Sequence, residues 1–323
     1  MLSKRYAALH LAALCALSAP GAAQAAFPEP GVPVRIVVGF PPGGGADVLA
    51  RAAAIGVSKA LGTNVIVENR PGASGIIATD YVARAKPDGY TVYIATPGSL
   101  TILPSLQKVP YDPARDFSPI SLLVTMPNVL VTSPSSGIDS VGDLIARVRS
   151  GKDVTYASGG NGTIGQMAAE QFNMMAGIHM RHIPYKGTTP ALSDVVGGLV
   201  DITFSDPSVK TLVAAGKLKA LGVTTATPSG EFPGAAPIGQ AGVPGYELTN
   251  WYGAIAPAGV PRDVIEKLNR AFAAAMADPE IGRQLAASGM TATSNTPAQF
   301  GELMTKERAK WADLIKKAEI RLD

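Results

Sequence analysis

One unit recurs along this chain and limits what it can fold into: a short apolar strand, a glycine-rich turn, then an amphipathic helix. Residues 34–39 form the first such strand. The turn Phe40-Pro41-Pro42-Gly43-Gly44-Gly45 follows, and Asp47 is expected to cap a helix running to about Leu61, with Val48, Leu49, Ala52 and Ile55 on one face. A second strand is expected at 64–68, a helix at 74–85 and a third strand at 91–95. The pattern restarts near Asn128. Strands are expected at 128–132, 154–158, 182–185, 201–204 and 219–224, with helices at 141–149, 163–176, 190–199 and 207–215 between them. Strands of this kind alternating with helices predict an α/β chain with parallel sheets covered on both faces. Residues 225–247 are rich in Pro and Gly and have little periodicity. A strand at 248–256 is then expected to return to the first domain, followed by helices at 261–277 and 297–319.

The first 26 residues stand apart from this pattern. Lys4 and Arg5 precede an apolar run from Ala7 to Ala19, and Ala23-Gln24-Ala25 has the small-x-small form of a cleavage site. This is the layout of a secretory signal peptide, cleaved near Ala25 or Ala26, and it predicts a periplasmic protein. The apolar run is shorter than the roughly 20 residues a membrane span needs. Cys15, the one cysteine, would leave with the signal, so disulfides and thiol chemistry are not expected. The formal charge of the 323-residue chain is +3, and losing Lys4 and Arg5 brings it near +1. With no dense Lys/Arg run, nucleic acid is not an expected partner.

Several turns carry residues suited to holding an anion. In 40–47, three successive glycines leave backbone N–H groups open at a helix start, where the helix dipole favours negative charge. A tight connection between strand and helix is the plainer reading of the same residues. Ser158-Gly159-Gly160-Asn161-Gly162-Thr163-Ile164-Gly165 formally contains G-x-G-x-x-G. A dinucleotide site would also need an acidic residue about 20 positions on, but 179–183 reads His-Met-Arg-His-Ile. What remains is an anion-binding helix start or a Thr163/Gln166 capping box. Lys186, in the turn before Pro190, is either a cation for a carboxylate or a surface charge. Asp206 either caps the helix that follows it or accepts a hydrogen bond from a ligand. Trp251 and Tyr252 read as packing at a domain junction or as ligand stackers. His179 and His182 lack the carboxylate or thiol company of a metal site, and no cofactor motif is present. An exported hydrolase using Ser74 or Ser158 is the competing enzyme reading, although no base is paired with either serine in the sequence.

The turns lie at the carboxyl ends of strands, the edge at which open α/β sheets bind ligands. Two such domains facing each other make a cleft between them. At this point the chain resembles the Bug-type receptors of the tripartite tricarboxylate transporter systems. The resemblance rests on residues 34–47, 68–75, 156–165, 184–190, 198–201, 216–221, 251–253 and 256–259, in that order and spacing.

The resemblance implies the type II periplasmic binding protein architecture: a discontinuous first domain, 27–123 plus 249–323, and a second domain, 124–248. It implies a monomeric solute-binding protein, without catalytic residues, cofactor or metal. Such a receptor closes by hinge motion on a small organic acid and passes it to membrane permease subunits. A sensor that docks a signalling partner is the alternative. In the family the ligand carboxylate is held largely by backbone amides and ordered waters. Carried onto this chain, the first-domain site residues are Phe40, Gly43, Gly44, Gly45, Ala46, Asp47, Thr96, Gly98 and Ser99. Those of the second domain are Ser158, Gly160, Asn161, Gly162, Thr163 and Asp206. One departure is that 225–230 lacks the arginine expected near there.

Overall fold

Val34, Ile36, Val37 and Val38 have no solvent exposure, as a strand covered on both faces requires. The computed structural model describes residues 27–321. It places this strand, β1 (Val34–Val38), between β2 (Val65–Asn69) and β3 (Thr91–Ala95), parallel to both. Beyond β3 come β10 (Asn250–Pro257), β4 (Phe117–Met126) and β11 (Thr291–Ala292), completing a six-stranded sheet. The second sheet has five strands in the order β7-β6-β8-β5-β9. They are β5 (Val129–Thr132), β6 (Thr155–Ser158), β7 (Arg181–Pro184), β8 (Ile202–Ser205) and β9 (Lys219–Val223).

Neither sheet is wholly parallel, which corrects the expectation from strand–helix alternation. β10 runs antiparallel to β3 and β4, and β5 runs antiparallel to β8 and β9. The cause is the path between sheets. β4 runs to the edge of its sheet, residues 127–128 cross, and β5 begins the other sheet. The return crossing lies alongside, since Thr224 N–H donates to Asn128 O (2.9 Å), Leu248 N–H to Thr224 O (2.8 Å), and Asn250 is in register with Met126. The ten-residue β4 is not among the expected strands. Its Ser118, Pro119 and Ser121 interrupt the apolar run, and from outside the sheet Asn295 accepts from the Ser121 hydroxyl and from Leu122 N–H.

The helices are α1 (Gly45–Leu61), α2 (Ile76–Ala83), α3 (Leu103–Leu106), α4 (Val141–Arg149), α5 (Ile164–Ala176), α6 (Thr188–Val196) and α7 (Lys210–Ala214). They are followed by α8 (Arg262–Ala277), α9 (Pro279–Ala287) and α10 (Pro297–Lys317). Helix α2 starts two residues later than expected because Ala73 and Ser74 take positive φ angles of 47° and 52°, which no helix accommodates. The unexpected α9 begins with a recognisable signal, Asp278 accepting a hydrogen bond from Glu280 N–H with Pro279 between them. On one face of the first sheet α1 packs against α8 so closely that a methyl on Gly56 would lie 2.5 Å from Ala275 Cβ. Helix α10 serves both sheets. Phe300 and Met304 join the core around Tyr93 and Trp251, while Trp311, Leu314 and Ile315 join the core around Phe172 and Tyr246. The predicted signal segment, 1–26, lies outside the described residues.

Candidate functional site

Three glycine-containing turns end at helices, and the structure brings those helix starts to one cavity between the sheets. Gly44 is the N-cap of α1, Thr163 of α5 and Gly187 of α6. Gly45 and Ala46, Ile164 and Gly165, and Thr188 and Thr189 therefore present N–H groups without an intrahelical acceptor. All of these residues line the same space, whose empty volume is about 830 Å³ including its open mouth. Gly187 must be glycine, because its φ is +123°. Pro190 follows at the third helical position, where a missing N–H costs nothing.

Side chains complete the lining. Thr96, Asn128 and Asn250 are each at least 95% buried, yet Thr96 Oγ1, Asn128 Oδ1 and Asn250 Nδ2 have no hydrogen-bond partner within the protein. Buried polar atoms are normally satisfied, so these unpaired ones are open to a hydrogen-bond partner inside the cavity. Phe40, Pro97, Ile164, Phe204 and Ala191 supply apolar walls. Among the described residues no Lys, Arg or His lines this cavity, and Asp206 is its one carboxylate.

Asp206 is a cap, as one of the two readings held, and its second oxygen opens onto the cavity. Its Oδ1 accepts from Ser208 N–H (3.1 Å) and Ser208 Oγ (2.5 Å), capping the short helical turn after β8. Its Oδ2 accepts from the Tyr252 hydroxyl (3.3 Å) across the cavity. Burial, together with the Asp206 charge and this hydrogen bond, pushes the Tyr252 hydroxyl well above the ordinary tyrosine range, so it stays protonated and donates. Trp251 points the other way. It stacks edge-on against Phe300, with ring centroids 5.5 Å apart, inside the core. Strand alternation thus splits the pair into one packing residue and one cavity residue.

Of the expected site residues, Phe40, Gly44, Gly45, Ala46, Thr96, Gly98, Thr163 and Asp206 line the cavity. Gly160 and Asn161 line an adjoining outer opening beside Ser74, Tyr185 and Lys186. Gly43 faces a separate depression beneath Asp206. The other four turn into the protein. Asp47 is not the N-cap of α1 but lies in its first turn, where it reaches back to Gly43 N–H (3.0 Å) and binds Arg51 and Asn69. Burial alone would raise its pKa. The hydrogen bonds from Arg51, Gly43 and Asn69 outweigh burial and hold the carboxyl below the usual range. Ser99 lies beneath the cavity floor, its carbonyl accepting from Tyr111 (2.6 Å). Gly162 packs against Leu103, and its N–H is taken by Gln166 Oε1 (2.7 Å).

Ser158 closes its own turn through Gly160 and lies 2.7 Å from His182 Nε2. Ser158 is 1% exposed and does not line the cavity, while His182 stacks on Tyr156 and faces Gln166 through Nδ1. The pair ties β6 to β7 just ahead of the turn into α5. The expected capping box is also replaced, because Thr163 Oγ1 donates to Gly160 O (2.7 Å) instead of capping α5. Sequence reasoning missed Asn128, Thr188, Thr203 and Asn250. The available signal was a lone Asn at the head of two apolar strands, Asn128 before 129–131 and Asn250 before Trp251.

Relatives match this chain along most of its length. The family model described as the tripartite tricarboxylate transporter family receptor matches residues 49–320. The BugT protein of Bordetella pertussis is 32% identical over 300 residues, covering 91% of each chain. A Rhodopseudomonas palustris protein solved with adipate is 35% identical, with a TM-score of 0.86 over 89% of this chain and 97% of that one. MatC of the same organism, solved with bound malate, is 28% identical, with a TM-score of 0.83 over 88% and 99%. With most of its length matched in sequence and in fold, and a cavity where the two sheets meet, this chain belongs to the receptor family of the tripartite tricarboxylate transporters, the Bug-type solute-binding proteins.

Proposed function

We propose that this protein captures a small organic acid by its carboxylate in the cavity between the two sheets and delivers it to a tripartite tricarboxylate-type membrane transporter. The observation that carries the reading is the convergence of the α1, α5 and α6 N-termini on a cavity lined by no basic side chain. Backbone amides at helix starts are suited to holding a carboxylate in this way. Charge-assisted hydrogen bonds contribute roughly 1.5–3 kcal/mol each. A micromolar ligand needs about 8 kcal/mol net. Four to six such bonds, less ordering and desolvation costs, reach that figure.

Two bodies would close on the ligand about the paired crossings at 127–128 and 248–249; because β4 stays in the first sheet to Met126, the expected boundary at 123/124 moves to the first of these crossings. The adipate and malate held by two relatives support an acid of a few carbons. Export through the 1–26 signal would bring the receptor to the periplasm. Thermal-shift screening against mono-, di- and tricarboxylates, with native mass spectrometry of the purified protein, tests the reading. A rise in melting temperature with at least one acid is expected. If no acid shifts the melting temperature and none co-purifies, the reading fails.

A further inference from the structure

The carboxylate of Asp206 sits where a bound carboxylate would be least welcome. A methyl placed on Gly45 would lie 3.0 Å from Asp206 Oδ2, so this oxygen faces the first turn of α1, whose free N–H groups are a natural carboxylate seat. No cation balances it. Asp206 takes part in no ion pair among the described residues, and Lys210, four positions on, is paired with Glu231. The oxygen on the cavity side has one long hydrogen bond from Tyr252 and room for another donor. A second acid seated on the Gly45 and Ala46 amides would put two carboxylates side by side, each disfavouring the charge of the other. A ligand that carries a donor next to its carboxylate removes the conflict, because the donor lies between the two anions and bonds to Asp206.

We propose that Asp206 makes the cavity selective for acids bearing a hydroxyl or ammonium group on the carbon next to the anchored carboxylate. This rests on the receptor reading above. The ligand carboxylate accepts from the start of α1, the adjacent donor bonds to Asp206 Oδ2, and the rest of the molecule extends towards α5 and α6. Asn128 Oδ1, buried and unpaired on the same wall, is a second acceptor for that donor.

The test is calorimetry on matched acids that share a skeleton: succinate, malate and aspartate, then propionate, lactate and alanine, then adipate with its 2-hydroxy and 2-amino derivatives. In at least one series the substituted acid should bind ten or more times tighter than the plain acid. In Asp206→Asn, which keeps an oxygen for the cap, that ratio should fall to about threefold or less, with the circular dichroism spectrum unchanged. Loss confined to the amino acid would identify the donor as ammonium, and equal loss for both as either donor. If the plain acid binds as tightly as its substituted partners, the selectivity proposal is overturned while the receptor reading stands, and Asp206 is left as a helix cap. If no acid of any series binds, the receptor reading itself has failed.

Discussion

The Tyr252 hydroxyl donates to Asp206 Oδ2 over 3.3 Å, joining β10 of the first sheet to the residue that directly follows β8 of the second. This polar contact links the two walls of the cavity. It also holds the lone cavity carboxylate where a ligand would meet it.

Removing that donor should loosen the site without unfolding the protein. Tyr252→Phe keeps the ring that packs in the first core and loses one long hydrogen bond. A decrease of about 1 kcal/mol in binding energy is expected, roughly fivefold in affinity. Calorimetry with the best ligand found by screening reads it. A variant binding as tightly as the parent would show that the contact plays no part in ligand capture.

Gly45 separates binding from folding. Gly45 is the first residue of α1, and a methyl there would lie 3.0 Å from Asp206 Oδ2 and 3.3 Å from the Tyr252 ring, in the cavity. Gly45→Ala should therefore cost about 1 kcal/mol of stability or less, as these side chains give by a few tenths of an ångström, yet bind acids at least tenfold more weakly. Parental affinity would remove the start of α1 from the binding site.

Asp47 predicts a pH signature. Its carboxyl titrates below the usual value when folded, so its stabilisation is complete above the unfolded value of about 3.9 and is lost as pH falls through the folded value. Asp47→Asn, which turns an acceptor of several donors into a partial donor, should cost about 2 kcal/mol at pH 7. In denaturant melts the gap between variant and parent should narrow below about pH 4. A gap independent of pH would assign the loss to packing alone.

Gly253 lies under Phe300. A methyl there would come 2.1 Å from the ring, which is fully buried. Gly253→Ala should destabilise by about 1–3 kcal/mol through overpacking. Adding Phe300→Leu, which shortens the blocking side chain, should cost less than the sum of the two single changes. Strict additivity in that cycle would mean the strand, not the ring, gives way.

Much of the framework was legible locally. The strands beginning at Val34 and Thr91, and the helices starting near Gly45, Val141 and Arg262, follow from apolar periodicity and from Gly and Pro at their ends. Those signals act over a few residues, so a sequence carries them openly. The glycine turns at 43–45 and 159–165 were legible too, because runs of glycine between an apolar strand and an amphipathic helix stand out in the sequence.

What the sequence could not carry was direction and partnership. Whether β4 and β10 run with or against β3 depends on where the chain crosses between sheets, which no local pattern records. Trp251 and Tyr252 are neighbours in sequence with opposite fates, because the pleat turns one into the core and the other into the cavity. Asp47 and Asp206 were both plausible helix caps. Packing turned Asp47 onto Gly43, Arg51 and Asn69, and opened one oxygen of Asp206 to the cavity. The amino-acid sequence by itself determined the strand–turn–helix units and their exposed amides, since these rest on backbone sterics and hydrophobic period. Only the tertiary structure decided which amides meet, and that one uncompensated carboxylate faces them, because those facts arise from contacts between residues far apart in the chain.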